Sequence, residues 1–196
     1  AGCTLRAAIN ESNSHFAPDT ILFDIPGSGV QTIQLGSRLP SLFDRSGGTT
    51  IDGYSQPGSQ PNTDSSVSNA VTMIQIQGNG PCAFDAMLIQ SAENRVQGLS
   101  IFNVRRSIWV SGSAARNNFI VGNFLGTNAT GTFGLTVQTP NAVGVHIQGG
   151  ANGNHVGGTS SAERNVISGN AYSGIDYKSE GTNGNLIINN LIGLNP

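Results

Sequence analysis

Apolar and polar residues alternate in short runs along this chain, and each run breaks at Asn, Gly or Ser. VTMIQIQG (71–78), MLIQ (87–90), SIWVSG (107–112) and GVHIQG (144–149) are the clearest cases. A period of two marks a strand with one face buried. The runs Ala86–Ile89, Ser107–Val110, Gly144–Ile147 and Gly174–Tyr177 align, their first residues lying 21, 37 and 30 positions apart. Each is followed 8 to 11 positions later by an asparagine: Asn94, Asn118, Asn154 and Asn185. The segments that open on these residues or echo them are NRVQGL (94–99), NFIVGN (118–123), NVISGN (165–170) and NLIINN (185–190).

A unit of about 20 to 30 residues that cannot bury its own apolar face must stack on its neighbours. The predicted fold is therefore all-β: a right-handed parallel β-helix with two or three short strands per turn and turns about 4.8 Å apart. Asn and Gly tolerate the positive φ that a coil corner requires. A buried Asn at such a corner can also bond its counterpart one turn away. The repeated Asn is read as shape, not chemistry.

The beginning of the chain differs. CTLRAAINESN (3–13) places Leu5, Ala8 and Ile9 at helical spacing behind Thr4, a candidate cap, and predicts a short helix covering the first turn of the coil. DTILFDIP, VQTIQL and TTIDGYSQPG follow as strands with a closing turn. Residues 1–196 are expected to form a single β-helix domain, with 1–15 as cap, 16–80 as first coils and 81–196 as Asn/Gly-rich repeats. No capping segment is read at LIGLNP, so further domains, a covering partner or end-to-end self-association are expected there. Insertions at 127–141 and 157–164 interrupt the repeat and are expected to wall a binding face.

The alignment also predicts an outward row. With Ile108 and Val110 facing inward, successive turns present Leu88, Trp109, His146 and Asp176, and two positions on they present Gln90, Ser111, Gln148 and Lys178. Trp109, Gln90 and Gln148 are candidate saccharide contacts. His146, Asp176 and Lys178, the only lysine, are candidate catalytic groups: a base, its partner and a neutraliser of a substrate carboxylate. The same row also reads as an ordinary mixed β surface. A glycosidase needs two carboxyls about 5 to 9.5 Å apart, and the row holds one unless Glu163 arrives from the 157–164 insertion.

Composition narrows the classes. Only 10% of residues are charged, the net charge is −2, and Arg105–Arg106 is the only adjacent basic pair, which excludes nucleic acid as the expected partner and disfavours a strongly polyanionic substrate. No apolar run reaches membrane-spanning length. His15, His146 and His155 are scattered, so neither a metal nor a cofactor is expected. Cys3 and Cys82 read as one bridge or as two thiols. Asn10-Glu-Ser12 and Asn128-Ala-Thr130 fit the glycosylation acceptor pattern.

CTLRAAIN (3–10) resembles the CSLREAI-type opening of secreted and surface parallel β-helix proteins, and IDGYSQPG (51–58) resembles the segment that follows it there. NFIVGNFLGTNATGT, GANGNHVGGT and NVISGNAYSGI are similar to the coil repeats of that group. Thr4 and Ala7 depart from its Ser and Glu. The resemblance covers nearly the whole chain and implies the fold and a secreted or cell-surface setting; no active site is carried over with it. Two functions stand as expectations: an adhesin-like scaffold that binds glycans, and a polysaccharide lyase or epimerase working on the outward row.

Overall fold

Thr4 starts the first element. Its hydroxyl accepts from the Ala7 amide at 3.2 Å and caps α1 (Leu5–Ser12), satisfying one of the donors a helix leaves open. Leu5, Ile9 and Ser12 are the buried residues of α1. Leu5 and Ile9 join Phe23, Leu35 and Leu39 in the core, so the helix covers the first turn of the coil as its spacing predicts. The computed structural model describes residues 3–44, 47–79, 84–131 and 141–193.

Beyond α1 the chain is a right-handed parallel β-helix of three sheets. The first contains β1 (Asp19–Leu22), β3 (Thr49–Asp52), β6 (Arg95–Gln97), β9 (Phe119–Val121), β12 (His155–Val156) and β15 (Leu186–Ile187). The second contains β2 (Gln31–Gln34), β4 (Ile74–Gln77), β7 (Leu99–Phe102), β10 (Phe124–Leu125), β13 (Val166–Ile167) and β16 (Leu191–Ile192). The third contains β5 (Met87–Ile89), β8 (Arg106–Ser111), β11 (Asn141–Gln148) and β14 (Asn170–Tyr177). From β5 onward each complete turn visits the third, first and second sheets in that order, and every pairing between the named strands is parallel.

Inside the tube the inward residues of the three sheets stack into one apolar column. Met87, Ile108, Val145 and Ile175 pair in register across the third sheet, reproducing the sequence offsets. Ile51, Val96, Ile120 and Val156 do the same in the first sheet, all at 0% exposure. A fully buried branched side chain contributes about 1.5–3 kcal/mol, so the column is the main source of stability.

The corners are held by amides. Where the third sheet turns into the first, Asn94, Asn118 and Asn154 are wholly buried. Each donates its Nδ2 to the Oδ1 of the next asparagine at 2.8 Å, ending on Asn185. Each backbone N–H bonds the same Oδ1, at 2.8, 3.1 and 2.9 Å. Asn94 Oδ1 in turn accepts from the Thr49 amide, and Thr49 Oγ1 is hydrogen-bonded to Ser12 of α1. The ladder thus runs into the cap. Asn123, Asn165 and Asn190 form a second ladder between the first and second sheets. Between the second and third sheets one position is too tight for a side chain: Gly126 has φ +104°, and a Cβ there would lie 2.1 Å from the Ser168 carbonyl.

The 157–164 insertion lies elsewhere than expected. It connects β12 to β13, at the corner between the first and second sheets and away from the third. There the Asn62 amide donates to the Ser161 carbonyl, and Arg164 donates to the carbonyls of Asp64, Ser65 and Val67. Of the 127–141 insertion, 132–140 lie outside the described residues. Residues 127–131 leave the second sheet on the side that leads to the third, and the Ala129 amide bonds Gln75 Oε1. Cys3 is exposed, and the Cys3–Cys82 alternative lies outside the described residues because of Cys82. No helix among the described residues is long and apolar enough to cross a membrane.

Candidate functional site

The outer face of the third sheet carries the mixed row. Leu88 pairs with Trp109, Trp109 with His146, and His146 with Asp176. Alternation along each strand sends these side chains opposite to the core column. The same alternation sets Gln148 two residues beyond His146 and Lys178 two beyond Asp176, on one face. Leu88 and His146 are 4% exposed, whereas Gln90 and Lys178 are open to solvent.

Four of these groups form one chain of contacts. His146 Nδ1 lies 2.9 Å from Asp176 Oδ2, and its Nε2 lies 2.8 Å from the Gln148 side-chain amide. Lys178 Nζ reaches the same Asp176 oxygen at 3.1 Å. Partial burial pushes the Asp176 carboxyl up, but the hydrogen bond from Lys178 and the contact with His146 outweigh it, and its pKa falls below the ordinary value of 3.8. Asp176 is therefore a charged acceptor at neutral pH and not a proton donor. The imidazole is thus held at both nitrogens by side-chain oxygens.

Trp109 is half-buried next to this cluster, its ring 6.4 Å from the His146 ring in an edge-on arrangement. One face of the indole is covered by the Arg106 guanidinium, 4.0 Å from the ring centroid. Its Nε1–H is buried and has no acceptor among the described residues. Gln90 stands exposed at the end of β5, in the first turn of the row, and Ser111 pairs with Gln148.

One group at this face went unread in the sequence. Asp85, with a side chain only 1% exposed, receives Arg105 Nε and Nη2 at 2.9 and 2.6 Å and Arg106 Nε and Nη2 at 2.7 and 3.2 Å. Burial alone would raise this carboxyl; the two guanidiniums reverse the sign and hold it below 3.8. Asp85 and Arg106 stand 21 positions apart, the same offset as Met87 and Ile108. That offset was the available signal.

Other candidates fall outside the row. Glu163 caps the short helix Ser161–Glu163 by bonding Ser160, and it lies 3.8 Å from Arg95. It supplies no second carboxylate to the third sheet. Asp85 and Asp176 are three strands apart, about 14 Å at the usual strand spacing, beyond the separation that glycoside hydrolysis uses. Among the described residues no three His, Cys, Asp or Glu side chains gather to hold a metal ion.

Fold and face together define a parallel β-helix with one chemically mixed strip on its third sheet. Comparison with protein-family models, with curated proteins and with solved structures found no match.

Proposed function

We propose that this chain is a β-helix scaffold of the secreted or cell-surface, adhesin-like kind, and that the third sheet binds a glycan. The observation that carries the reading is the in-register alignment of Trp109, His146 and Asp176, with Gln148 and Lys178 joined to the latter two. A flat strip with one aromatic body and fixed donors and acceptors suits a sugar, which offers an apolar ring face and a rim of hydroxyls. The setting outside the cell rests on the resemblance of CTLRAAIN, IDGYSQPG and the coil repeats.

The Asp176–His146 hydrogen bond is the one feature that favours a lyase or epimerase, because a carboxylate of this kind orients an imidazole base. It carries less, since Gln148 occupies the nitrogen such a base would use. A glycan array probed with the folded chain tests the proposal. Binding to a defined saccharide group is expected, weakened about tenfold or more in Trp109→Ala. Unsaturated or epimerised product from a bound saccharide would move the reading to the enzyme. Absence of binding by folded protein, or full binding by Trp109→Ala, would remove the third sheet from consideration.

A further inference from the structure

A second concentration of charge lies at the entrance to the third sheet. A cavity of about 430 Å³ opens there, lined by Arg6 of α1, by Ser37 and Arg38, and by Phe84, Asp85 and Arg105 ahead of β5 and β8. Arg6 is fixed by neutral groups. Its Nη1 donates to the Arg38 carbonyl at 2.9 Å, and its Nη2 donates to the Ser37 carbonyl and hydroxyl at 3.0 and 3.1 Å. These bonds set the plane of the guanidinium and leave its charge uncancelled.

Asp85 is the carboxylate of this lining, and Arg105 and Arg106 already divide both of its oxygens. Within the lining one negative charge therefore faces three positive ones, Arg6, Arg38 and Arg105, while Arg106 reaches the same carboxylate from outside it. The Arg38 guanidinium is exposed and makes no hydrogen bond or ion pair with a described residue. In a chain of net charge −2 with nine basic residues, gathering three of them at one opening is unfavourable by itself. An oxyanion relieves that repulsion. Guanidinium forks arriving from separate elements also match the planar or tetrahedral array of acceptors that an oxyanion presents.

We propose that this cavity is an oxyanion site that takes a single carboxylate or sulfate group, either free or carried on a saccharide. The volume suits one small acidic unit, and Phe84 offers it an apolar wall. None of the lining residues belongs to the Trp109 strip, so the site holds whether or not that strip binds sugar.

Titration calorimetry at low ionic strength tests it, with sodium sulfate, sodium glucuronate and neutral glucose as probes. Saturable binding of at least one anion and none of glucose is expected. Binding of both anions assigns recognition to the charged group itself; binding of glucuronate alone assigns it to the group as carried on a sugar. Arg38→Ala is expected to weaken binding about tenfold and Arg38→Glu to abolish it, with unchanged circular dichroism because the side chain holds nothing in the fold. Arg116→Glu, an exposed arginine elsewhere, is expected to stay within about twofold of the parent, as long-range screening allows. The proposal is overturned if neither anion binds folded protein, if Arg38→Glu binds normally, or if Arg116→Glu loses binding equally.

Discussion

The asparagine corner and the outer face of the third sheet are made by the same operation: one residue per turn, stacked in register. They differ in what is stacked. At the corner four successive rungs, Asn94, Asn118, Asn154 and Asn185, are Asn, the first three wholly buried, and each amide bonds the next. On the outer face the rungs run Leu88, Trp109, His146 and Asp176, with exposure varying from rung to rung. Identity down a column means that each residue serves its neighbour, because a buried amide offers the donor and the acceptor that its copy in the next turn needs. Variety down a column is not required by stacking. In a solenoid, columns of one residue type hold the coil together and columns of mixed type are free to meet something else.

The corner column is most vulnerable at Asn118. Replacing it with Ala takes the acceptor from the Asn94 backbone N–H, removes one of the acceptors of Asn94 Nδ2, and leaves the Ser91 carbonyl and Asn154 Oδ1 each one donor short, all in a buried site. A loss on the order of 3 kcal/mol is expected, read from guanidinium unfolding at pH 7. A loss below about 1 kcal/mol would mean that the corner is as tolerant as a surface.

An intermediate effect is expected at Asp85, which borders the outer face yet is buried like a corner residue. Asp85→Asn leaves two guanidiniums facing each other and is expected to cost about 2 kcal/mol at pH 7, reduced from the fully buried case by the exposure of Arg105. The sign with pH follows from a carboxyl held below 3.8 in the fold. Its contribution is fully present above that value and disappears as pH falls through the lower folded value. The gap between parent and Asp85→Asn is therefore expected to narrow only below about pH 4, in unfolding curves recorded from pH 7 to 2.5. A gap that is constant over this range would show that the charge pairing contributes nothing.

Much of this arrangement was legible in the chain. The offsets 21, 37 and 30 between strand runs are the register itself, so the order of Leu88, Trp109, His146 and Asp176 followed from alternation alone. The Asn ladder was legible for a similar reason: a polar residue recurring at a corner has its own copy as neighbour. What alternation does not encode is where a long side chain swings. It put Gln148 and His146 on one face but said nothing of the amide closing on Nε2, nor of Arg106 lying over the indole. Asp85 escaped because it precedes the apolar run that made its turn visible. The 157–164 insertion was assigned to the wrong side because a loop's position in sequence names the two strands it joins, and only the order of the sheets names the corner.

The smallest effect on stability is expected at Asp176, and there the comparison is sharpest. Asp176→Asn keeps the shape and removes the charge from an ion pair whose lysine side chain is 63% exposed. Screening by water limits such a pair, so the change in unfolding free energy is expected to stay within about 1 kcal/mol, whereas glycan binding through the Asp176–His146–Gln148 chain would fall. Because the parent carboxylate stays ionised until pH drops below 3.8, binding by the parent is expected to be level from pH 7 down to about 5 where Asp176 alone governs it. If Asp176→Asn instead unfolds the protein as severely as Asn118→Ala, the mixed column is structural after all, and the distinction between the two columns fails.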